Sequence, residues 1–516
     1  MGFAWPTHRP LTDRPHVWAP AVLLLATVCL FAPSLGFGLM SDDYGVFGAA
    51  QTGTFDLFAA FPAGSGRYFR PMPMFSFFVG EWIGLPYWLQ HAVQIGLHLL
   101  NGLLIYRLVL HLAPSLALWV AAFFCLHPAN VTDVVWLSAR SDLLATFFCL
   151  GLLNMLHSIK SDSKGTAIWM ALGTLAALAS KEAAIGTALI LLCWSFWVQN
   201  HRSVKAHILP LCLTLGWGTA LWLVFYGAGD TPSAGIQGLL KNVALTGFYG
   251  LSPVPGSLVR SHPTLFLMVG LALVLLLAFW LWKSQDFRFK PGTRALALMV
   301  LPVVGALPGW LFLSGTAPRL LYFPLALAMP GLAVFLANLN KFNGINVLGG
   351  LLLAVFCGAS WLQVQQWDHA KKLEQNAVSG FLKWKMDYPE KELVLLTWPG
   401  TVGDAPIFHN DVRAILYHAE TGRFGVDAKP VLGFMLSNDD QGSRVVCRRR
   451  SSHAFEIELD GKTGWIDLGP TAAVGTRLDL DWATLEILAQ NEEHKITRGL
   501  ATFKPPLDPD KAVFLL

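Results

Sequence analysis

Charge is scarce in this 516-residue chain: 14% of its residues are Asp, Glu, Lys or Arg, whereas 54% are hydrophobic. Soluble globular domains carry about 25% charged residues, so this composition excludes a purely soluble protein. The chain also holds 34 Phe, 20 Trp and 9 Tyr. Because so many aromatic side chains favour burial, a mostly disordered chain is excluded as well.

Cysteine is scarce too, and Cys447 alone of the seven lies away from the apolar runs. The polar C-terminal region therefore has no partner for an internal disulfide. The chain lacks a C-x-x-C motif and any Cys and His spacing typical of structural zinc. The first apolar run lacks a convincing small-residue cleavage site, so we interpret it as a retained membrane helix.

Apolar runs of about 20 residues recur through the first two thirds of the chain, and each could cross a ~30 Å hydrocarbon core as a helix. They predict an all-α polytopic membrane domain over residues 1–362 with about eleven transmembrane helices. The predicted spans are 17–37, 86–112, 115–127, 135–156, 166–180, 183–199, 206–226, 263–283, 295–313, 319–338 and 345–362.

The distribution of basic residues predicts how these spans are oriented. Twelve of the nineteen Lys and Arg residues before position 363 fall on one side, mostly in short loops, and the positive-inside rule assigns that side to the cytoplasm. The N-terminus is then cytoplasmic and the C-terminal region lies outside. The long loops 38–85 and 227–262 also lie outside, together with eight of the eleven acidic residues before position 363. We therefore expect any chemistry to face outward.

The C-terminal region, residues 363–516, is predicted to be a small soluble extracytoplasmic α+β domain. It holds 18 Lys and Arg against 22 Asp and Glu, whereas residues 1–362 hold 19 against 11. The basic excess therefore belongs to membrane loops, and we expect no nucleic-acid partner. Arg448-Arg449-Arg450 indicates either a solvated strand edge or a contact with anionic lipid headgroups.

Several ionisable residues lie at the predicted outer ends of the spans, where burial is costly unless a charge is paired or used. Asp42 and Asp43 follow the first span as a candidate general base, or as an acidic pair that ends a helix in water. Arg70, Lys181 and Arg319 could surround a phosphate group. Alternatively, each of these cations pairs with a neighbouring carboxylate or a helix end.

Polar residues also recur at three- and four-residue spacing along the second predicted span: His91, Gln94, His98 and Asn101. Such a stripe lies on one helix face and predicts hydrogen bonds to other helices. The two histidines lie two turns apart without an intervening carboxylate, so the stripe is not typical of a metal site.

A further cluster follows the third predicted span, where His127, Asp133, Arg140 and Asp142 occur close together in the sequence. These charges either neutralise one another as a structural cluster or line a cavity. Arg140 and Asp142 are expected to enter the apolar region together.

The order of these motifs resembles that of the type C glycosyltransferases, in particular the protein O-mannosyltransferase clan and its relatives with tetratricopeptide repeats. The stretch 126–144 matches that clan at His127, Pro128, Trp136, Arg140 and Asp142. The acidic position of the family falls on Thr132, one residue before Asp133. The C-terminal region has no 34-residue periodicity, so the resemblance does not extend to the repeats.

The remaining matches lie in the same order along roughly residues 20–340. Asp42-Asp43 is similar to the first-loop acid of the family, and Arg70-Pro71 to its Arg-Pro. The second-span histidines, the Lys-Glu pair and the Arg-x-x-Tyr-x-Pro motif are matched by His91, His98, Lys181, Glu182, Arg319, Tyr322 and Pro324.

The resemblance implies an integral-membrane glycosyltransferase that moves a sugar from a polyprenyl-phosphate donor to a protein, glycan or lipid acceptor. Asp42 or Asp43 would be the base, and Arg70, Lys181, Arg319 and Tyr322 would bind the donor phosphate. The supporting polar cluster would be His91, His98, His127, Asp133, Arg140, Asp142 and Glu182.

We expect no required cofactor and no metal, although adjacent carboxylates could hold a divalent cation. A bacterial cytoplasmic membrane is the expected location, with membrane lipid around the spans. The alternative functions are a transporter or flippase that binds a lipid-linked sugar, and a catalytically silent scaffold.

Overall fold

The computed structural model of the chain describes the residues that form most of its helices and strands. The described residues are 18–51, 70–158, 164–195, 205–221, 242–245, 248–250, 252–254, 262, 264–266, 268–269, 318–339, 345–387, 392–395, 401–402, 404–407, 412–421, 432–433, 444–451, 454–460, 473–479, 483–490, 496–503 and 512–515.

The N-terminal region is helical throughout its described part. Its α-helices are α1 (Ala19–Phe31), α2 (Asp43–Gln51), α3 (Pro71–Trp82), α4 (Tyr87–Leu112), α5 (Ala117–Cys125), α6 (Val131–Val135), α7 (Arg140–Ser158), α8 (Lys164–Leu178), α9 (Thr187–Cys193), α10 (Lys205–Leu221), α11 (Tyr322–Leu339) and α12 (Ile345–Asp387).

Among the described residues, three helical segments are long and apolar enough to cross a membrane: Tyr87–Leu112, Leu137–Ser158 and Arg319–Ala337. A bent pair, Pro114–Cys125 with Pro128–Val135, makes a fourth if it is counted as one broken span. The prediction of membrane-spanning helices is therefore confirmed. The number eleven stays a prediction, because spans 263–283 and 295–313 lie largely outside the described residues.

The outward faces of the helices are apolar, as a lipid environment requires. Trp18 of the first span is 72% exposed, Trp169 of α8 is 65% exposed, and Leu215 of α10 is 69% exposed. Water would make such large apolar surfaces unfavourable. The exposed faces therefore support an integral membrane protein.

The first outer loop, predicted over 38–85, contains the two helices α2 and α3. Pro71 begins α3, a position where the missing N–H of proline costs no helical hydrogen bond. The Met72 N–H donates to the Ala179 carbonyl at 3.0 Å, which fixes the start of α3 against the end of α8. The described parts of this loop are thus anchored to the membrane helices.

Two backbone breaks separate α5, α6 and α7 and place polar residues among apolar helices. His127 precedes Pro128 and is extended, because the proline ring disfavours a helical residue before it. Trp136 is also extended and is followed by the 3-10 turn Leu137–Ala139. These breaks end the helices at the cluster that the sequence places near residues 127–142.

Helix α12 runs without a break from Ile345 to Asp387. At 1.5 Å per residue it is about 65 Å long, roughly twice the thickness of the hydrocarbon core. The predicted boundary at residue 362 therefore falls inside one continuous helix. One face of its second half is buried, including Val364, Trp367 and Ala370, because these positions are three or four residues apart.

The C-terminal region is an α+β structure, as the sequence predicts. Its elements are β1 (Glu392–Leu395), β2 (Thr401–Val402), β3 (Ala405–Pro406), α13 (Val412–Thr421), β4 (Leu432–Gly433), β5 (Arg444–Arg449), β6 (Ala454–Asp460), β7 (Arg477–Asp479), β8 (Ala483–Gln490), β9 (Ile496–Phe503) and β10 (Ala512–Leu515). Strands β5-β6-β9-β8-β7 form an antiparallel sheet, β10-β1-β4 a parallel sheet, and β2-β3 a short antiparallel pair.

The arginine run of this region lies on β5 and at its end. Arg448 forms an ion pair with Glu458 of the adjacent strand β6, and Arg450 pairs with Glu456 of the same strand. Because these charges are neutralised within the sheet, the arrangement favours the solvated strand edge over lipid-headgroup binding.

A close approach of α4 and α5 gives a testable prediction about packing. A Cβ at Gly102 would lie 2.2 Å from the Cys125 sulfur, whereas a Cβ at Gly96 of the same helix would meet nothing within 4 Å. Gly102→Ala should destabilise the protein by about 1–3 kcal/mol through overpacking. Gly96→Ala is the matched control and should be neutral or slightly stabilising. Thermal unfolding in detergent measures both.

Combining Gly102→Ala with Cys125→Ala gives a double-mutant cycle that tests this contact. Removing the sulfur should relieve the clash, so that Gly102→Ala costs little in the Cys125→Ala background. Equal costs of Gly102→Ala in both backgrounds would show that this contact does not limit the packing of α4 on α5.

Candidate functional site

Asp43 lies at the start of α2 with its carboxylate held by three donors. Its Oδ2 accepts from the Met40 N–H at 3.1 Å. Its Oδ1 accepts from the Ser138 N–H at 2.8 Å and from the Ser138 hydroxyl at 2.5 Å. The side chain is only 1% exposed. The α6–α7 break therefore holds this carboxylate in one orientation.

The environment of Asp43 makes it a stronger base than an ordinary aspartate. Burial raises the pKa of Asp43 to about 7, because a charged carboxylate is poorly solvated among apolar side chains. The hydrogen bonds from Ser138 and Met40 oppose this shift, whereas the neighbouring charge of Asp42 adds to it. A carboxylate with this pKa can accept a proton near neutral pH.

Ser41, which precedes the aspartate pair, has a φ of 50°. This left-handed conformation is uncommon for a residue with a side chain. Asp42, the other candidate base, is half-buried beside it. Strained backbone of this kind persists only where surrounding contacts hold it, and it concentrates at functional sites.

Trp136 joins the aspartate turn to Arg319. Its indole N–H donates to the Met40 carbonyl at 3.3 Å, and the Arg319 guanidinium lies 5.3 Å from its ring centroid. Trp367 of α12 also lies beside Trp136, with 6.3 Å between the two ring centroids. Trp136 thus contacts both the turn that carries the candidate base and a candidate phosphate-binding cation.

The three cations predicted to surround a phosphate differ in their partners. Arg70 forms a two-pronged ion pair with Glu182, and Lys181 pairs with Asp142. The alternative interpretation, in which each cation pairs with a carboxylate, therefore describes these two residues. Arg319 is exposed, and within the described part of the chain it makes no ion pair.

Arg140 is buried, but it does not pair with Asp142. Its guanidinium donates to the Gln94 side chain at 3.1 Å, to both Gln90 oxygens at 3.1 Å and to the Ser76 hydroxyl at 3.2 Å. It also lies 4.2 Å from the centroid of the Phe77 ring. Arg140 and Asp142 are both buried, as expected, but they face different partners: Asp142 faces Lys181, whereas Arg140 faces α3 and α4.

The polar stripe of α4 makes the hydrogen bonds between helices that its spacing predicts. His98 bonds with the Tyr322 hydroxyl at 2.7 Å and with the Cys125 carbonyl at 3.0 Å. Asn101 donates to the same hydroxyl at 3.2 Å. His91 bonds with the Gly38 carbonyl at 2.9 Å. Tyr322 is consequently fixed inside the bundle as part of this network.

Asp133 is fully buried, and neither of its carboxylate oxygens has a hydrogen-bond partner among the described residues. Lys181, Arg319 and Asp142 lie within electrostatic range of it. A buried carboxylate without a hydrogen-bond donor is costly, and the nearby cations Lys181 and Arg319 reduce that cost.

His127 lies at the break between α5 and α6. Its Nδ1 accepts from the Ala129 N–H at 3.1 Å, and its Nε2 lies 3.3 Å from the Gly250 carbonyl. His127 therefore connects this break to Gly250, within the described part of loop 227–262. Within the described ranges, no group of three or more His, Cys, Asp or Glu side chains could hold a metal ion.

No protein-family model matches the chain. No curated protein matches it significantly. A solved structure resembles the chain along nearly its whole length. It is the crystal structure of ArnT from Cupriavidus metallidurans bound to undecaprenyl phosphate, which is 13% identical, with 95% of this chain and 99% of that chain covered. The TM-score is 0.38.

Some residues of the site are absent from the sequence-based prediction. Ser138, Ser76 and Gln90 supply donors or acceptors to Asp43 and Arg140. Gln90 lies next to His91 on α4, so the polar stripe could have been extended to it. The two serines carry no comparable signal, since neutral hydroxyls are common in membrane helices.

The raised pKa of Asp43 predicts how stability depends on pH. The folded protein binds the Asp43 proton more tightly than the unfolded chain, so the protonated side chain stabilises the fold below about pH 4. This contribution is lost as the pH rises to about 7. Relative to wild type, Asp43→Asn should therefore gain a few kcal/mol between pH 4 and 7. Thermal unfolding across this range measures the difference.

Asp42→Asn is the matched control for this experiment. It should keep the pH dependence, moved slightly to lower pH, because the Asp42 charge raises the pKa of its neighbour. Parallel curves for wild type and Asp43→Asn would contradict the raised pKa.

Proposed function

We propose that this protein is an integral-membrane glycosyltransferase that moves a sugar from a polyprenyl-phosphate donor to an acceptor at the outer face of the membrane. One observation carries the proposal: Trp136 lies between the Asp43 turn and Arg319. Its indole N–H bonds to the Met40 carbonyl, next to the buried Asp43 carboxylate of raised pKa, and its ring faces an arginine that makes no ion pair among the described residues. The carboxylate suits proton removal, and the arginine suits an anionic leaving group.

The proposed reaction is a single displacement that inverts the anomeric carbon. Asp43 or Asp42 takes the proton of the acceptor hydroxyl, whose oxygen then bonds to the anomeric carbon. The bond between that carbon and the phosphate oxygen breaks, and its electron pair leaves with the prenyl phosphate. Since the leaving group is already stable as an anion, no strong general acid is required.

Arg319 is the first candidate to bind the departing phosphate. It is exposed and lies against the ring of Trp136, so an anion can approach it without displacing a carboxylate. A cation helps most where it meets charge that develops in the transition state.

Arg70 and Lys181 are proposed to support this phosphate from their ion pairs with Glu182 and Asp142. Their charges would attract a phosphate in addition to these carboxylates. Tyr322 is proposed to act through its bonds with His98 and Asn101, which orient the end of α11 next to Arg319.

The donor, acceptor and location belong to the same proposal. The donor is a polyprenyl-phosphate sugar, and the acceptor is a hydroxyl of a protein, glycan or lipid. The reaction as written needs no metal or other cofactor. The proposed location is a bacterial cytoplasmic membrane, with the site on the outer side and the N-terminus in the cytoplasm.

The proposal predicts separate effects for the base and the phosphate-binding residue. With a panel of radiolabelled polyprenyl-phosphate sugars and candidate acceptors in detergent, Asp43→Asn should lower the release of prenyl phosphate by at least 100-fold. Arg319→Ala should lower it by about 10- to 100-fold, since one stabilising contact is lost. Release is measured by separating prenyl phosphate from its sugar-bearing form.

Two control variants lie outside the site. Arg107 is an exposed arginine at the other end of α4 that bonds to Ser158, and Asp368 is paired with Lys372 on α12. Arg107→Ala and Asp368→Asn should keep wild-type release. Binding of the donor without any release, unchanged by Asp43→Asn and Asp42→Asn but weakened by Arg319→Ala, would instead favour a transporter or flippase.

A further inference from the structure

Two residues of α12, in its part beyond the predicted span, contact the turn that carries Asp42 and Asp43. The Lys371 ammonium donates to the Leu39 carbonyl at 2.7 Å and to the Glu374 carboxylate at 2.7 Å. The Tyr44 hydroxyl donates to the same Glu374 oxygen at 3.3 Å. Lys371 and Glu374 therefore contact the chain on both sides of the aspartate pair.

The Ser41 backbone also lies close enough to the Glu374 carboxylate to stabilise its charge. Ser41 is the residue with a φ of 50°, and its strained backbone requires contacts that hold it. The strain, the Glu374 contact and the aspartate pair occur within three consecutive residues. The ion pair on α12 is thus placed where it can fix the direction in which Asp42 and Asp43 leave the turn.

Stability alone does not account for a charged pair at this place. Lys371 is 8% exposed and Glu374 is 1% exposed, so both charges have lost most of their water. Replacing a buried ion pair with apolar residues is often neutral or stabilising. What the pair adds over an apolar contact is directed bonding to Leu39 and Tyr44.

The C-terminal region contacts the same turn a second time. The His418 ring of α13 lies 5.6 Å from the Tyr44 ring, in an edge-on arrangement. Helix α12 therefore links the membrane domain to the C-terminal region, and both α12 and α13 reach the residue that follows Asp43.

We propose that Lys371 and Glu374 are positioning residues through which the C-terminal region holds the Asp42–Asp43 turn in its reactive conformation. They act on the proposed base through Leu39, Ser41 and Tyr44, and they touch neither the sugar nor the phosphate. This inference rests on the proposed function for its kinetic consequence. Its structural consequence, a turn held by the ion pair, does not depend on that function.

The decisive variant replaces both charges with apolar side chains of similar size, Lys371→Met with Glu374→Leu. It should stay folded, because no charge is left buried without a partner, although the Leu39 carbonyl and the Tyr44 hydroxyl each lose a hydrogen bond. With a donor that wild type uses, its kcat should fall at least tenfold, while its KM for that donor changes less than twofold. A base that is misplaced, with donor binding intact, gives this pattern.

Asp368 and Lys372 provide the matched control on the same helix. They form an ion pair with 2.5 Å between their charged atoms, and the Lys372 side chain is mostly exposed. Lys372→Met with Asp368→Leu removes an equal number of charges one turn away, and should leave kcat unchanged. Tyr44→Phe removes only one bond to Glu374 and should lower kcat about two- to fivefold, which serves if the double variant does not fold.

Amide hydrogen exchange provides a readout that needs no activity. In the Lys371→Met and Glu374→Leu protein, the peptide covering residues 39–44 should exchange at least tenfold faster than in wild type, while peptides of α4 are unchanged. Wild-type kcat together with wild-type exchange in the double variant would overturn the inference. If wild type transfers no sugar at all, the proposed function fails, and the exchange result alone decides whether the ion pair holds the turn.

Discussion

The site depends on how the free-energy cost of burying its charged side chains is offset. Lys181 and Asp142 sit between apolar helices and satisfy each other as an ion pair, and breaking such a buried pair costs about 3–5 kcal/mol. Arg140 makes no ion pair among the described residues and instead donates to neutral oxygens of Gln90, Gln94 and Ser76. Every element that carries one of these groups is therefore fixed relative to its neighbours. The geometry at Asp43 depends on this compensation.

The backbone break at Trp136 is what brings the compensated charges together. An unbroken helix would place Ser138 on a different face from Asp133 and Arg140, and it would use the Ser138 N–H in a helical hydrogen bond. The extended Trp136 and the 3-10 turn after it instead free the Ser138 N–H for Asp43. The carbonyls of Asp133 and Trp136 accept from Gln94 of α4, so the broken backbone is satisfied by a neighbouring helix, as membrane helices require.

The sequence predicts features that repeat along one element better than features that depend on contacts between elements. Membrane-spanning helices, the α4 stripe and the mixed character of the C-terminal region follow from sequence patterns. The described structure confirms that these features occur, whereas the number of spans stays a prediction. The partners of Arg140 could not be predicted, because the sequence does not give the direction of its side chain. Lys371 and Glu374 were missed for a related reason. Their spacing indicates only a shared helix face, whereas their burial depends on the turn at Ser41, more than 300 positions earlier.

Burial makes a charged Asp43 energetically costly, and the same burial raises its pKa to a value that suits a base. Full exposure would return its pKa towards the ordinary value, leaving a weak base, whereas burial without donors would keep it protonated at neutral pH. The donors from Ser138 and Met40 lower the pKa that burial raises, and the balance lies at about 7. Proton transfer is most effective when the pKa of the base lies near the working pH. That balance requires the Met40 and Ser138 amides to keep their directions, so the position of the turn, and with it the contact from α12, bears directly on the basicity of Asp43.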